Sequence, residues 1–344
     1  MTPTLMAVDG NSLLHRAFHA DARTDFRLPG GEPAWAVRGL LGAIAAAASR
    51  TCADAVVVGF DDPDASVRRD RWPHYKAQRP PKPASLSTQL SLAVSVLRDL
   101  GLVVTVPPGL EADDVLASAA AFAPGIGARA VCVTSDRDAF ALVDEHTRVL
   151  RIINGGVDAS PMLDVERSTL LTGVAPSAYR DLAALRGDAS DNLPGVHGVG
   201  PKRAAALLAE FGGAAAAFDA AQADDPRCVE VVGRSAAAAL ARPGARERWA
   251  ENCAVMTMHT DVELGLDLAA GVGTLPVEPE AVRAAYARFD LGHAAALRAL
   301  CGVDSPGPDP RDAQEGWAPP RPRRARHAPL RRPPAPAHVQ ERLF

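Results

Sequence analysis

Short apolar runs rich in valine alternate along the first half of the chain with longer stretches in which leucine and alanine recur at helical spacing. Residues 86–97 show that spacing, with apolar side chains every three or four positions. Continuously apolar strands are buried on both faces, so this alternation predicts an α/β fold with a mostly parallel, doubly wound sheet. The expected strands are Leu5–Val8, Ala55–Phe60, Val103–Val106 and Ala130–Thr134.

The pattern changes twice further along the chain. From about residue 165 the strand signal fades and alanine-rich helical spacing dominates, and from residue 305 the chain is rich in proline and arginine without periodicity. The sequence therefore predicts an α/β domain over residues 1–164, a helical region over 165–304 and a disordered tail over 305–344.

Composition narrows the class of protein. The 344 residues are 47% hydrophobic, which is enough to bury a sizeable core. The five cysteines are odd in number and form no CxxC pair, so neither a disulfide framework nor a zinc site is indicated. The chain start lacks a signal-peptide pattern, and no run of about 18 apolar residues occurs. We expect a soluble cytoplasmic protein with no membrane partner.

The net charge of −4 argues at first against a nucleic-acid partner. The tail is basic, with eight arginines against four acids, so the excess acid lies in residues 1–304. An acidic body could still bind nucleic acid if much of its acid were gathered in one place and neutralised by metal. Only three of the 37 basic residues are lysines, which hints that an amine is needed at those positions: Lys76, Lys82 and Lys202.

Carboxylates follow three of the four predicted strands, as Asp9, Asp61 and Asp136. Ligands bind beyond the carboxyl ends of parallel strands, so these side chains should converge at one edge. For any single acid cluster, favourable placement at a helix N-terminus is an equally good explanation. Together, oxygen ligands without Cys or His indicate Mg²⁺ or Mn²⁺, and a pair of such ions can hydrolyse phosphodiesters. Six further acids complete the set: Glu111, Asp113, Asp114, Asp138, Asp188 and Asp191.

These acids stand in segments that resemble the 5′-nuclease domain of bacterial DNA polymerase I and, more widely, the flap endonucleases. The resemblance covers roughly residues 5–219 and implies a PIN-like 5′-nuclease domain followed by a helix–hairpin–helix at about 187–211. It also implies a stand-alone form, because no polymerase domain follows. The matching segments are Val8–Ser12 with Arg16, Phe60–Asp61, Tyr75–Arg79, Glu111–Asp114, Thr134–Asp138, Gly187–Asn192 and Pro194–Lys202.

The resemblance implies roles for individual side chains. Asp138, Asp188 and Asp191 would lie toward a second metal ion, and Asp114 is carried over as a further metal-site acid. Lys76 and Arg79, one helical turn apart, would direct cations at the scissile phosphate, although a solvated basic face is the alternative. Arg16 and Arg68 are candidates for phosphate contacts. The acids around the first metal ion would be Asp9, Asp61, Glu111, Asp113 and Asp136.

The glycines Gly195, Gly198 and Gly200 are spaced for a tight hairpin between helices, ahead of Lys202 and Arg203. Backbone N–H groups there could hold a DNA phosphate, but such a turn is often only a helix–helix connection. The resemblance implies a helix–hairpin–helix with a K⁺ ion held by backbone carbonyls. His197 is expected to be a turn residue and not a metal ligand.

The last residues, with Gln340, Leu343 and Phe344, resemble the short peptide by which bacterial repair proteins dock on the sliding clamp. An extended peptide with two apolar anchors suits such docking. A chance ending is the alternative, and the tail arginines could equally attract phosphates without specificity.

The expected function is metal-dependent 5′–3′ exonuclease or 5′-flap endonuclease activity on double-stranded or branched DNA in replication and repair, near the nucleoid. RNA–DNA hybrids are a further candidate substrate. Two other hypotheses remain, a non-catalytic binder of branched DNA and a ribonuclease of a related compact α/β type. The full set of acids argues against the first, and the hairpin argues against the second.

Overall fold

A computed structural model describes residues 2–303 of the chain. The predicted clamp-binding residues Gln340, Leu343 and Phe344, and the rest of the predicted tail, lie outside the described residues. The two statements about those residues therefore stay predictions.

A six-stranded sheet in the order β3-β2-β1-β4-β5-β6 forms the centre of the α/β part. Strands β1 to β5 pair in parallel and β6 pairs antiparallel with β5, so the predicted mostly parallel sheet is confirmed. The sequence missed β5 and β6, because β5 carries two arginines and β6 has only two residues. The strands are β1 Thr4–Asp9, β2 Ala55–Gly59, β3 Val103–Thr105, β4 Arg129–Thr134, β5 Thr147–Arg151 and β6 Met162–Leu163.

Alternate residues of the central strands enter two separate hydrophobic cores, one on each face of the sheet. In β1, Met6 and Val8 belong to one core, and Leu5 and Ala7 belong to the other. Every residue of β1 and β2 is buried. Because side chains alternate across a strand, a sheet covered on both faces needs apolar residues at every position, which explains the valine runs.

Helices cover both faces of this sheet and continue beyond it. Trp35–Thr51, the longest, packs against Gly10–Asp21 on the first face, while Ala112–Phe122 packs on the opposite face. In the α/β part the helices are α1 Gly10–Asp21, α2 Trp35–Thr51, α3 Val67–Arg71, α4 Ala84–Asp99, α5 Ala112–Phe122 and α6 Gly156–Ala159.

From residue 165 the described chain is mainly helical, as the alanine-rich pattern predicts. The two-residue strands β7 Gly187–Asp188 and β8 Leu193–Pro194 pair antiparallel within it. Its helices are α7 Val165–Thr172, α8 Tyr179–Arg186, α9 Pro201–Phe211, α10 Ala214–Gln222, α11 Pro226–Val232, α12 Arg234–Leu240, α13 Ala245–Val255, α14 Pro279–Arg288 and α15 Ala294–Cys301.

The last two helices pack on the α/β part and not on the other helices of the region predicted over 165–304. Phe289 and Leu297 are fully buried in the core that also contains the α1 and α2 side chains. The Tyr286 hydroxyl donates to the Leu41 carbonyl at 2.7 Å, which joins α14 to α2. The predicted boundary at residue 164 thus marks a change in the sequence pattern. The α/β core extends beyond it, because it includes α14 and α15.

Within residues 2–303, no single helix is long and apolar enough to cross a membrane. The bent pair α9 and α10 reaches that length and composition only when the two helices are taken together.

Candidate metal centre

Three carboxylates lie at the carboxyl ends of three adjacent strands. Asp9 ends β1, Asp61 follows β2 by two residues, and Asp136 follows β4 by two residues. Since β1 lies between β2 and β4, the parallel pairing brings all three acids to one edge. The sheet topology therefore converts a pattern spread over 128 positions into a local cluster.

Asp9 is at the centre of this edge and is 4% exposed. One oxygen accepts the Ser12 N–H at 2.8 Å and the other accepts the Thr134 hydroxyl at 2.7 Å. Burial raises the pKa of Asp9 to about 7 despite these two hydrogen bonds, and the charges of Asp61 and Asp136 add to the increase. A carboxyl group with so high a pKa is fully ionised at neutral pH only when a positive charge lies close to it.

Asp61 is oriented by neighbours on both sides. The backbone N–H of Ala112, the first residue of α5, donates to Asp61 Oδ1 at 3.0 Å, and Asn11 Nδ2 donates to Oδ2 at 2.6 Å. Burial raises the pKa of Asp61 in spite of the Ala112 bond. The sequence alone indicates no role for Asn11 or Thr134, although both lie inside the segments that match the family. Their signal was their adjacency to the acids.

The start of α5 supplies two more acids to the same edge. Glu111 Oε1 accepts Lys76 Nζ at 2.8 Å, and Oε2 accepts the Tyr75 hydroxyl at 3.0 Å. Asp113 Oδ1 is buried without any hydrogen-bond partner. Burial raises the pKa of Asp113 well above its usual value, and Asp136 and Asp9 raise it further. An unpartnered carboxylate oxygen beside other acids is a ready ligand for a hard cation.

The Asp114 carboxylate is occupied by protein donors, which corrects its assignment as a metal-site residue. Its side chain is fully buried, and both oxygens accept Arg68 guanidinium donors at 2.7 Å. The backbone N–H groups of Glu111 and His259 also donate to it, at 2.9 and 2.8 Å. Four donors leave this carboxylate without a free lone pair for a metal ion.

Arg68 is corrected for the same reason, because a phosphate cannot reach it. It is 5% exposed, and besides Asp114 it donates to the Val255 and Thr257 carbonyls. Arg68 joins α3 and α5 to the end of α13, and its Nη1 also lies 3.5 Å from Glu111 Oε2.

A second group of acids lies beside the first. Burial raises the pKa of Asp138 to about 7, and the nearby charges of Asp136, Asp191 and Asp188 contribute in that order. Asp188 accepts both the N–H and the hydroxyl of Ser190. The charge of Asp136 raises the pKa of Asp113 and also that of Asp138, so Asp136 lies between the two groups of acids. The acids thus fall into two neighbouring sets, with Asp138, Asp188 and Asp191 in the second.

Lys76 and Arg79 border both sets of acids. Their spacing of one helical turn suggested a helix, but the structure has none here. Residues 73–78 form successive turns, and Lys76 has a φ of 57°. Arg79 donates to Asp191 Oδ1 at 2.5 Å, and the Lys76 N–H donates to the Asp191 carbonyl at 2.9 Å. This segment therefore closes over the loop that carries Asp188 and Asp191, and both cations face the acids.

Two further basic residues lie near this edge. Arg16 donates to Asn154 Oδ1 at 3.1 Å, just beyond the end of β5, and is not bonded to any acid of the centre. Lys82, which received no site role from the sequence, is close enough to lower the pKa of Asp61 and of His15 by its charge.

The glycine-rich hairpin connects α8 to α9. Gly187 and Gly195 approach so closely that a Cβ on either would lie 2.2 Å from the backbone of the other segment. Gly198 has a φ of 77°, and its carbonyl accepts Arg203 Nη1 at 2.8 Å. Gly200 caps α9 without a side-chain bond, and Lys202 and His197 are exposed. The predicted hairpin is therefore present, with its basic residues in solvent.

The donor set fits a hard divalent cation, although within residues 2–303 no three His, Cys, Asp or Glu side chains form a preformed coordination shell. The acids supply only oxygen ligands, burial and neighbouring carboxylates raise the pKa values of Asp9 and Asp113, and Asp113 has an orphaned oxygen. Concentrated buried negative charge is stabilised by a bound cation.

The sheet, its acid-lined edge and the helical hairpin together define a resolvase-like α/β domain joined to a helix–hairpin–helix region. Two models of one family match: the N-terminal resolvase-like domain of 5′–3′ exonucleases over residues 4–168, and their C-terminal SAM fold over residues 174–277. The chain belongs to the 5′–3′ exonuclease family.

Curated relatives are bacterial polymerases of greater length. The chain is 40% identical to DNA polymerase I of Mycobacterium tuberculosis over 210 residues, which is 61% of this chain and 23% of the polymerase. It is 33% identical to DNA polymerase I of Chloroflexus aurantiacus over 293 residues, which is 84% of this chain and 30% of the polymerase. The chain therefore spans less than a third of the length of these relatives.

Solved structures share the fold. T5 5′-exonuclease with bound zinc gives a TM-score of 0.58 at 20% identity, covering 83% of this chain and 96% of that one. The catalytic core of Rad2 in complex with DNA gives 0.53 at 17% identity, covering 87% and 92%. These likenesses confirm the predicted fold class of an α/β nuclease-type domain followed by a helical hairpin region.

Proposed function

We propose that this protein is a metal-dependent 5′–3′ exonuclease and 5′-flap endonuclease, which hydrolyses DNA phosphodiesters near 5′ ends in replication and repair. The observation that carries the proposal is the cluster of acids at the carboxyl edge of the sheet, where burial and neighbouring carboxylates raise the pKa values of Asp9 and Asp113, and where Asp113 has an orphaned oxygen. Such a cluster suits two hard divalent ions, and we propose Mg²⁺ or Mn²⁺.

The two sets of acids would hold one ion each. Asp138, Asp188 and Asp191 form the smaller set. The residues proposed to hold the other ion are Asp9, Asp61, Glu111, Asp113 and Asp136. A pair of divalent ions lowers the pKa of water and offsets negative charge on a leaving oxygen.

The chain's own residues would position the substrate. Lys76 is ion-paired with Glu111 and Arg79 with Asp191, so both cations already lie beside the acids. A phosphate bound at this cluster would replace the acids as the partner of these two cations, and the cations would offset the charge that develops on the phosphate. Asn11 and Thr134 hold Asp61 and Asp9 in place.

Double-stranded and 5′-flap DNA are the proposed substrates, with RNA–DNA hybrid as a further candidate. Support comes from the hairpin with its exposed Lys202 and Arg203, and from the structural relatives that contain DNA: the Rad2 core with a DNA substrate and human GEN1 with Holliday junction DNA. We also propose a K⁺ ion at the hairpin, a sliding-clamp contact through the chain end and a cytoplasmic location near the nucleoid.

Cleavage of labelled 5′-flap, blunt-duplex and RNA–DNA substrates tests the proposal. The wild-type protein should cut the DNA substrates only with Mg²⁺ or Mn²⁺. Asp113→Asn should reduce kcat/KM about a thousandfold, because several kcal/mol of transition-state stabilisation are lost. The matched control is Asp99→Asn, which changes an exposed acid at the end of α4.

Three results would count against the proposal. Tight binding of branched DNA without cleavage would favour the non-catalytic binder, and cleavage confined to RNA would favour the ribonuclease. Equal activity of Asp113→Asn and Asp99→Asn would contradict the assignment of this acid cluster as the metal centre.

A further inference from the structure

A pocket of about 200 Å³ lies beside the hairpin, on the side formed by α12 and α13. Its polar residues are His197 of the hairpin turn, Arg242 in the α12–α13 connection and Arg248 on α13, and its apolar floor includes Val196 and Ala245. We call it the hairpin pocket. No acid lines it.

The two arginines of the hairpin pocket have no counter-charge. Within residues 2–303, neither Arg242 nor Arg248 forms an ion pair or a side-chain hydrogen bond, and both are exposed. Two other arginines of this region do have acidic partners: Arg246 pairs with Asp219, and Arg227 pairs with Asp225 and Glu210. Two unpaired guanidinium groups around one concavity produce a positive potential that favours an anion with several oxygens.

The hairpin pocket is fixed to the hairpin by the next turn of α13. Asn252, one turn after Arg248, is 1% exposed and donates to the Pro194 carbonyl at 3.0 Å and to the Ala184 carbonyl at 3.1 Å. Residues four apart on a helix lie on one face, so Arg248 stands above the hairpin turn. The first turn of α13 has no side-chain cap. The Ala245 N–H donates to the Arg242 carbonyl at 3.2 Å, and the N–H groups that follow it in this turn point toward the same place.

We propose that the hairpin pocket binds a backbone phosphate of duplex DNA, with Arg242 and Arg248 as the phosphate-binding residues and His197 at the rim. This inference extends the proposed function, because it names residues that hold the duplex away from the metal centre. Phosphate contacts of this kind position a duplex without reading its sequence.

The test compares duplex binding by the full chain and by the double variant Arg242→Ala/Arg248→Ala, using fluorescence anisotropy in EDTA so that no cleavage occurs. Losing one phosphate contact should make the slope of log K against log salt about 0.9 shallower. Between about 50 mM and about 200 mM salt, the wild-type affinity should therefore fall about threefold more than that of the variant.

Arg246→Ala is the matched control, since it removes an arginine from the same helix whose partner is Asp219. It should keep the wild-type salt slope. Arg242→Lys/Arg248→Lys keeps both charges and should also retain most of the slope. Circular dichroism and thermal unfolding of each variant separate loss of binding from loss of fold.

Identical affinity and salt slope in the wild type and the Ala double variant would overturn the proposal. So would binding of inorganic phosphate at Arg248, seen by NMR, without any change in duplex binding, because the pocket would then serve free phosphate. The outcome is independent of cleavage: a protein that binds duplex through these arginines but cuts nothing would contradict the proposed function and leave this site intact.

Discussion

Asp113 and Asp114, which are adjacent on α5, differ in their hydrogen bonding and therefore in their roles. Asp113 has a buried oxygen without a partner and a raised pKa, whereas Asp114 is saturated by Arg68 and two backbone N–H groups. Side chains that are neighbours in sequence point in different directions on a helix, so the resemblance could place both in one motif but could not divide their roles.

Removing one partner of the Arg68–Asp114 pair should destabilise the protein strongly. We expect Asp114→Ala to lower the free energy of unfolding by about 3–5 kcal/mol, because the Arg68 charge stays buried and loses its carboxylate. The double variant Arg68→Met/Asp114→Leu should lose much less. Urea unfolding monitored by circular dichroism measures both.

In the same Asp114→Ala protein, Mg²⁺ should still raise the midpoint of thermal unfolding, since both oxygens of Asp114 are already bonded to protein donors. If the Asp114→Ala variant were as stable as the wild type but no longer stabilised by Mg²⁺, Asp114 would be a metal-site residue after all.

His15 offers a test of the electrostatics around the centre. Burial, followed by the charges of Lys82, His19 and Arg79, lowers its pKa from 6.5 to about 4. As the pH falls, His15 is therefore protonated in the unfolded chain before it is protonated in the folded one. Its contribution to stability is complete above pH 6.5 and is lost as the pH falls toward about 4. An NMR titration of the imidazole should give a midpoint near 4, and a midpoint near 6.5 would contradict the burial of this residue.

At the scale of elements, the segment with Lys76 and Arg79 differs from its sequence pattern. Their spacing suggested a helix, but Pro73 and Pro80 bound the segment and the chain forms turns with Lys76 at positive φ. Contacts to the loop at 189–191 hold this conformation, including the hydrogen bond from Gln78 to the Ala189 carbonyl at 2.5 Å. Such long-range contacts are not encoded in local spacing.

Helix α14 gives a second example with a measurable consequence. Phe289, directly after the helix, is fully buried and lies 6.4 Å from the Phe26 ring. We expect Phe289→Ala to cost about 3–5 kcal/mol of stability through the cavity it leaves. Leu170→Ala on α7, where the side chain is 79% exposed, should change the free energy of unfolding by no more than about 0.5 kcal/mol. Similar small losses in both variants, measured by urea unfolding, would mean that α14 is not part of the α/β core.

At the scale of the molecule, the strands of the sheet and the edge that gathers the acids were predictable, because valine runs and the acids that follow them are local features. Strand β5 was not, since Arg148 and Arg151 interrupt its apolar pattern. The packing of α14 and α15 on the α/β core could not be predicted either, because the pattern of an amphipathic helix does not show which part of the protein it packs against. The hairpin pocket needed the structure as well, because residues 197, 242 and 248 meet only after folding.

The central claim is that this fold gathers distant carboxylates into one cluster, which we propose binds two hard divalent ions. An anomalous-scattering map from crystals grown with Mn²⁺ tests it most directly. Two peaks should appear at the carboxyl edge of the sheet, one bordered by Asp9, Asp113 and Asp136 and the other by Asp138, Asp188 and Asp191. Peaks elsewhere on the protein, or none at this edge under saturating Mn²⁺, would contradict the account.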